Sequence, residues 1–213
     1  MSIKARTTYT AEIDGHEFPI PFPYLEDSEI LQVSADGRTA RLGVLVHDDD
    51  CEDPLEEHDE GTLVQFNRSY SHYEPRPDLD DFKRLVRANP GRVVLTSYAG
   101  DCHGPGTVRI TVQDGPFAAR DARGDQLENA LEHAGGYYIA PEDVTDPASY
   151  AKSILRIYSD WCNGECYGIC VWAYSRVDGR WELDEDSRDE CWGYTGHEHA
   201  QEELTNQMKE VPL

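Results

Sequence analysis

The chain has 213 residues, which is long enough to bury a hydrophobic core without disulfides or structural metals. It contains 42 Asp and Glu residues against 19 Lys and Arg residues, for a formal net charge of −23. Nucleic acids and anionic membranes repel such a polyanion, so the composition argues against direct binding to either. Three interpretations of the charge stay open: solvation at high salt, cation binding, and binding to a basic protein. The content of only four Lys residues favours the first.

The sequence shows no pattern of a membrane-spanning or secreted segment. It contains no window of about 18 apolar residues, so we expect no transmembrane helix. The N-terminus, MSIKARTTYT, lacks the apolar stretch of a signal peptide. We therefore expect a cytoplasmic protein whose thiols stay reduced.

The first 46 residues predict two β-hairpins. Their turns are Asp14-Gly15 and Asp36-Gly37, and such pairs favour two-residue turns in which both central residues have positive φ. The four predicted strands are Thr8–Ile13, Glu17–Phe22, Glu29–Ser34 and Thr39–Val46. We expect residues 1–46 to form an N-terminal β-hairpin region and residues 47–213 to form an α+β core domain.

An acidic segment follows the hairpins. Residues 47–60 read HDDDCEDPLEEHDE, and nine of the thirteen residues from Asp48 onward are acidic. The charge opposes burial in a core strand, and Pro54 opposes a continuous helix. We therefore predict an exposed acidic loop over residues 47–60.

The rest of the chain alternates short strands with amphipathic helices. The predicted helices are 79–88, 124–134, Pro147–Trp161 and a last helix that starts with a capping box of Thr195 and Glu198. The predicted strands are Thr62–Phe66, Val93–Tyr98, Thr107–Val112, Tyr137–Ile139 and a hairpin of 165–174 with 181–192. This pattern predicts an α+β fold, with a mostly antiparallel β-sheet built from hairpins and packed with three to four amphipathic helices.

Cys162, Cys166 and Cys170 are spaced four residues apart and raise three possibilities: a metal site, a disulfide or packing. Asn163-Gly164 ends the preceding helix, so Cys162 lies on a helix while the other two lie on a strand. Two strand residues four apart are separated by about 13 Å, too far for one zinc ion with sulfur ligands at about 2.3 Å. A reducing compartment disfavours a disulfide. We predict that the three thiols pack as small apolar side chains.

Four segments carry distinctive motifs: CNGECYGICVW, DECWGYTG, GTLVQFNRSYSH and GGYYIAPEDV. Together they resemble a family of uncharacterised bacteriophage-encoded proteins, with a C-terminal Tyr-Gly strand and a Cys-Trp-Gly-aromatic-x-Gly motif. The likeness spans roughly residues 45–196 and is strongest over Cys191–Gly196. The family usually has Leu or Val where this chain has the three cysteines. The resemblance implies a phage setting, and hence the cytoplasm of a host cell, where small acidic accessory proteins often act against host defences.

Two acidic runs are the predicted partner-binding residues. They are Asp48, Asp49, Asp50, Glu52, Asp53, Glu56, Glu57, Asp59 and Glu60, and then Asp184, Glu185, Asp186, Asp189 and Glu190. Duplex DNA carries one charge per about 1.7 Å of axis, and spaced carboxylates can imitate that charge for a basic cleft. Such carboxylates also steer fast, salt-sensitive association. The alternative is a solvated surface without a partner.

The leading hypothesis is a non-enzymatic, nucleic-acid-mimicking inhibitor of phage type. It would bind a basic site on a host defence or nucleic-acid-handling protein. We expect no catalytic residue, metal ion or cofactor, and we expect the four tryptophans at core or rim positions.

Two alternatives stay open. One is a metal-dependent hydrolase using the acidic loop, His47, His58 and the turn Asp101-Cys102-His103, although the loop lacks the glycine and distal Glu of a calcium-binding loop. The other is a small-ligand-binding phage protein.

Overall fold

Residues 9–22, 28–57, 60–66, 74–100, 108–113 and 124–210 are described by the computed structural model. Within these ranges the strands pair in antiparallel sheets and several α-helices accompany them, so the fold is α+β as predicted. The chain divides into two compact units. The first unit comprises Met1–Cys51 and Glu165–Leu213, and the second comprises Glu52–Gly164. No helix in the described part of the chain is both long and apolar enough to span a membrane.

The elements follow one another along the chain with these bounds. They are β1 (Tyr9–Ile13), β2 (His16–Ile20), β3 (Glu29–Val33), β4 (Thr39–His47), α1 (Pro54–Glu57), β5 (Thr62–Gln65), α2 (Leu79–Ala88), β6 (Val93–Ala99), β7 (Arg109–Val112), α3 (Gly124–His133), β8 (Gly136–Ile139), α4 (Pro147–Cys162), β9 (Cys166–Val177), β10 (Arg180–Leu183), β11 (Asp189–Thr195) and α5 (His197–Glu210). A short 3₁₀ turn, Glu185–Ser187, separates β10 from β11.

The first unit is built on β9, its longest strand. The sheet has the order β10-β9-β4-β3, and β11 also pairs with β9. Strand β4 pairs with β9 along its whole length, from Thr39 opposite Ser175 to His47 opposite Tyr167. The sequence predicted a boundary after residue 46. In the structure, the second N-terminal hairpin shares a sheet with the C-terminal strands, since β4 pairs with β9, which lies more than a hundred residues further along the chain.

Alternating side chains of this sheet form two buried clusters, one for each face. On one face, Val44 of β4 and Trp172 of β9 share a cluster with Phe18 of β2. On the other face, Leu45 of β4 packs with Leu204 of α5. The sheet is thus covered by the β1-β2 hairpin on one side and by α5 on the other.

The hairpin turns are predicted with mixed success. Asp14 and Gly15 have φ values of 52° and 74°, and Asp178 and Gly179 have values of 49° and 83°, so both are two-residue turns with positive φ at each central position. The Asp36-Gly37 prediction is wrong in detail. Only its glycine has positive φ, and the loop is longer, closed by hydrogen bonds between Ser34 and Thr39.

The strand predicted over residues 181–192 is divided into β10 and β11. Asp184 donates its backbone N–H to the Ala173 carbonyl, and the Ala173 N–H donates to the Ser187 hydroxyl. The Asp184 side chain also accepts from the Asp186 N–H. These bonds satisfy the backbone of β9 where the ladder is interrupted, which lets two short strands line one edge of a longer strand.

The second unit has a four-stranded sheet in the order β5-β8-β6-β7. Val93 and Leu95 of β6 pack against Phe82 of α2 and Leu131 of α3. The neighbouring Val94 points to the opposite face, where it joins a cluster with side chains of α4. Helix α4 begins as predicted, with Asp146 as its N-cap and a proline in its first turn.

Candidate functional site

The predicted acidic loop is divided between the two units. Asp48, Asp49 and Asp50 belong to the first unit, whereas the residues from Glu52 to Glu60 belong to the second. Asp59 lies outside the described residues. Of the first acidic run, only Asp48–Asp50 therefore share a compact unit with the second run, residues 184–190.

The second part of the predicted loop contains a short helix. Helix α1 spans Pro54–Glu57 and so includes Glu56 and Glu57, and the Asp53 carboxylate accepts from the Leu55 N–H at 2.8 Å. Leu55 packs into the cluster around α4. The prediction of a loop past Pro54 is thus wrong, because proline is compatible with the first position of a helix and Leu55 provides an apolar anchor. Glu52 of this part is exposed.

Glu60 has a structural role in the second unit. Its carboxylate accepts a hydrogen bond from the Tyr150 hydroxyl, and its backbone carbonyl accepts one from the Tyr138 hydroxyl. Burial, and then the negative charge of Glu60, raises the pKa of Tyr138 to about 12, so this phenol stays protonated and donates at neutral pH. Glu60 therefore joins β8 and α4 through hydrogen bonds.

In the first unit, Asp48 anchors the turn that follows β4. Its N–H donates to the Cys166 carbonyl at 2.9 Å, and its carboxylate accepts from the backbone N–H groups of Gly193 at 3.1 Å and Asp50 at 3.2 Å. These bonds connect the turn to β9 and β11. The side chain of Asp49 is 91% exposed and contacts His47 at 2.9 Å. Asp49 and the exposed Asp50 thus project from a turn that is held in place.

The second acidic run contains both internal and exposed carboxylates. Glu190 accepts from Arg188 at 2.7 Å and from the indole N–H of Trp172 at 3.2 Å, and its side chain is only 20% exposed. Glu185 also pairs with Arg188, at 3.4 Å. The charges of Glu185 and Glu190 are therefore partly balanced inside the unit. Asp184, Asp186 and Asp189 are exposed.

An exposed aromatic ring lies between these two acidic segments. Trp192 is 41% exposed and precedes Gly193, the residue that donates to Asp48. Its ring covers Gly168 of β9, where a Cβ atom would approach Trp192 Cε3 to 2.4 Å. Phe22 meets the ring edge-on with centroids 5.4 Å apart. Gly168 and Phe22 therefore hold the ring against the sheet while one part stays in solvent.

We call this region the Trp192 surface. It comprises Asp49, Asp50, Asp184, Asp186, Asp189 and Trp192. Asp189 begins β11, and Gly193, which donates to Asp48, lies in the same strand at a bulge between Cys191 and Tyr194. The structure thus unites the acids at both ends of β11, which are more than a hundred residues apart in sequence, in one unit.

Sequence reasoning missed two features of this region. The first is the internal pairing of Arg188, for which the available signal was that Arg188 is the basic residue within an otherwise acidic run. The second is which tryptophan lies at the rim, because the sequence predicted core or rim positions for all four and did not single out Trp192. The other three differ: Trp172 and Trp181 are buried and Trp161 is half-buried.

Cys162, Cys166 and Cys170 pack as predicted from their spacing. Cys166 and Cys170 are buried in the first unit, and Cys162 packs at the end of α4 in the second. The five cysteines within the described residues are free thiols, and no group of three or more His, Cys, Asp or Glu side chains there is placed to hold a metal ion. His58 and Asp101-Cys102-His103, which the hydrolase alternative requires, lie outside the described residues.

Alkylation with iodoacetamide at about pH 8 is expected to label Cys191 at least roughly tenfold faster than Cys170 in the native protein. Cys191 is exposed, whereas burial raises the pKa of Cys170 to about 12 and that of Cys162 to about 11. Because the thiolate is the reactive form, a raised pKa slows the reaction at this pH. Peptide mass spectrometry over time measures each rate. A urea-unfolded sample, in which the rates should converge, is the control, and equal native rates would contradict the burial of Cys170.

Comparisons with known proteins assign no family. No protein-family model, no curated protein and no solved structure matches the chain. The likeness to phage-encoded proteins therefore rests on the quoted motifs and stays a prediction. The function of the chain is accordingly inferred from its charge and from the geometry of the first unit.

Proposed function

We propose that the chain is a non-enzymatic accessory protein of phage type that binds a basic site on a host defence or nucleic-acid-handling protein. It inhibits that protein by presenting carboxylates where the target normally holds nucleic acid. The observation that supports this function most directly is the Trp192 surface. There, exposed aspartates from two distant segments accompany a half-exposed aromatic side chain in one compact unit.

The electrostatics favour a partner that is itself built to bind polyanions. The formal charge of −23 attracts a cleft lined with Lys and Arg and repels nucleic acids. Exposed carboxylates steer association and set partner choice more than they add affinity, and salt screens them. A carboxylate on a short Asp side chain also stays close to the backbone, so the anchored turn at Asp48 restricts where the charges of Asp49 and Asp50 lie.

Trp192 supplies the apolar contact that charge alone lacks. Aromatic side chains dominate the binding energy of protein interfaces when they enter a desolvated pocket of the partner. The ring is already held against Gly168 and Phe22, so little side-chain freedom is lost on binding. The surface therefore combines charges for steering with one rigid apolar anchor.

Replacing the five aspartates of the Trp192 surface by Asn is expected to abolish capture of the partner from a host lysate. Wild-type protein should retain a DNA- or RNA-binding protein at about 50 mM salt and release it at about 500 mM, since surface charge is screened at the higher value. Added duplex DNA should compete for the same cleft.

Trp192→Ala should weaken binding to the isolated partner by about tenfold or more, measured by calorimetry.

The matched control removes the same number of charges elsewhere. Its substitutions are Glu12→Gln, Glu128→Gln, Glu132→Gln, Asp143→Asn and Glu202→Gln, all at exposed positions. This variant should still capture the partner. Equal loss in both five-residue variants would show that net charge acts without a defined surface. If the wild-type protein captured no partner at either salt concentration, the charge would serve solvation only, and the proposed function would be refuted.

A further inference from the structure

A groove of about 350 Å³ lies within the first unit, between the β1-β2 hairpin and the β9-β10 hairpin. Its lining includes His16 and Glu17 from the first hairpin and Arg176, Arg180 and Trp181 from the second. Gly15 and Gly179 of the two turns also line it, and a Cβ atom at either would meet no atom within 4 Å. The volume falls in the range of about 300–1,000 Å³ that is typical of small-ligand sites.

The charge of this groove is opposite to that of the chain. Arg176 and Arg180 line it, and neither forms an ion pair with a carboxylate in the described part of the structure. Glu17 contributes one negative charge to the lining, so the arginines outnumber the carboxylates there. In a protein with a formal charge of −23, a groove whose lining holds more arginines than carboxylates differs from the overall composition.

Arg176 is held in place before any ligand arrives. Its guanidinium lies over the Trp181 ring, 5.4 Å from the ring centroid, and its Nε–H donates to the Gly179 carbonyl at 3.4 Å. The Trp181 ring is stacked on Phe18, with centroids 5.5 Å apart and planes at 15°. A planar guanidinium fixed on an aromatic face keeps its remaining N–H groups available for an oxyanion.

The buried indole N–H of Trp181 also points to a ligand in this groove. The residue is only 6% exposed, and its indole N–H is buried without a hydrogen-bond partner in the described structure. A buried N–H without an acceptor is costly and is uncommon in native proteins. Trp181 also lines the groove, so a bound molecule whose oxygen reaches the indole N–H would supply that acceptor.

We infer that this groove binds a small phosphate-bearing molecule. Arg176, which lies opposite Trp181 in the strand register, contacts the phosphate oxygens, and the indole N–H of Trp181 donates to the same molecule. Arg180 adds positive charge to the lining. Guanidinium groups match the geometry of phosphate oxygens and form strong, charge-assisted hydrogen bonds with them. The overall negative charge repels extended polyanions, so the ligand is a small phosphate and not a nucleic acid. This site goes beyond the proposed function, since its charge has the opposite sign to that of the Trp192 surface.

The test is a titration of the ¹⁵N-labelled full chain, followed by two-dimensional NMR at physiological ionic strength. The probes are inorganic phosphate, ribose 5-phosphate and ribose, and the spectrum of a Trp181→Phe variant assigns the Trp181 indole signal. Inorganic phosphate and ribose 5-phosphate should both shift that signal, whereas ribose should not. Tighter binding of the ester would identify a phosphorylated metabolite as the ligand, and equal binding would identify free phosphate.

The variants locate the site. Arg176→Gln with Arg180→Gln should weaken binding of both phosphate probes at least tenfold, and Trp181→Phe, detected through other shifted signals, should weaken it roughly threefold to tenfold. Arg87→Gln with Arg109→Gln removes the same charge from exposed positions of the second unit and should leave binding unchanged. Arg180→Gln alone, at an exposed position, serves if the double variant folds poorly. An unshifted indole signal in wild type, or undiminished binding in the arginine variant, would overturn the inference.

Discussion

A Gly136→Ala substitution is expected to destabilise the second unit by about 3 kcal/mol or more, because it forces overpacking against backbone atoms. A Cβ atom at this position would lie 2.1 Å from the Val64 carbonyl oxygen and 3.0 Å from Thr96 Oγ1. Gly136 pairs with Gln65 of β5 on one side and with Thr96 of β6 on the other. The Val64 carbonyl is part of the backbone, so relief of the clash requires β5 and β8 to separate.

Urea unfolding followed by circular dichroism measures this loss, and Gly91→Ala is the matched control in the same unit. Gly91 has a φ of 77°, and a Cβ atom built there would meet nothing within 4 Å. Its substitution should cost only the strain of a left-handed backbone, about 1–2 kcal/mol. A loss for Gly136→Ala no larger than that for Gly91→Ala would show that the sheet accommodates the methyl group, contrary to the geometry.

A Trp172→Ala substitution is expected to lower the free energy of unfolding of the first unit by about 3–5 kcal/mol, as for other buried aromatic residues. Trp172 has no exposed surface and packs with Leu42 and Val44 in the cluster beneath the β1-β2 hairpin. Its indole N–H also donates to Glu190, and its ring lies 6.1 Å from that of Phe22. The substitution thus leaves a cavity and removes a donor from a partly buried carboxylate.

Trp192→Ala is the control, since the same side chain is removed from a surface position. Trp192 is 41% exposed and rests on Gly168 and Phe22, so its loss should cost about 1–2 kcal/mol, clearly less than the loss of Trp172. Trp172→Phe separates packing from hydrogen bonding, because it keeps a ring and removes the donor; we expect a cost of about 1–2 kcal/mol. Similar costs for Trp172→Ala and Trp192→Ala would contradict the assignment of Trp172 to the core. The small cost expected for Trp192→Ala also makes that variant suitable for the binding experiment.

Local features of the fold could be predicted from local sequence. The turn at Asp14-Gly15 was predicted because few residue types tolerate positive φ at two successive positions, and the structure has it there. Helix α2 was predicted over the residues it occupies, because its apolar residues recur at helical spacing. In the structure Asp78 caps its start. In both cases the information lies within about ten residues of the element.

The candidate site was less accessible to prediction. The acidic segment was expected to be one loop, yet Leu55 packs in the second unit while Asp48 bonds to β11 of the first. Charge and proline content describe a segment on average, whereas a single apolar residue or one backbone hydrogen bond decides where each part lies. The same limit applies to Glu190, whose partners Arg188 and Trp172 assign it to the interior of the unit.

From the sequence alone one could predict the charge of the protein, the α+β class, the positions of most helices and strands, and the packing of Cys162, Cys166 and Cys170. These properties depend on composition, on periodicity and on residues with restricted backbone angles. The fold was needed to show that β4 pairs with β9, which aspartates accompany Trp192, and that Arg176 and Arg180 line a groove with Trp181. The physical reason is that pairing between distant segments depends on the shape and burial of whole faces, and no local pattern of residues records which faces meet.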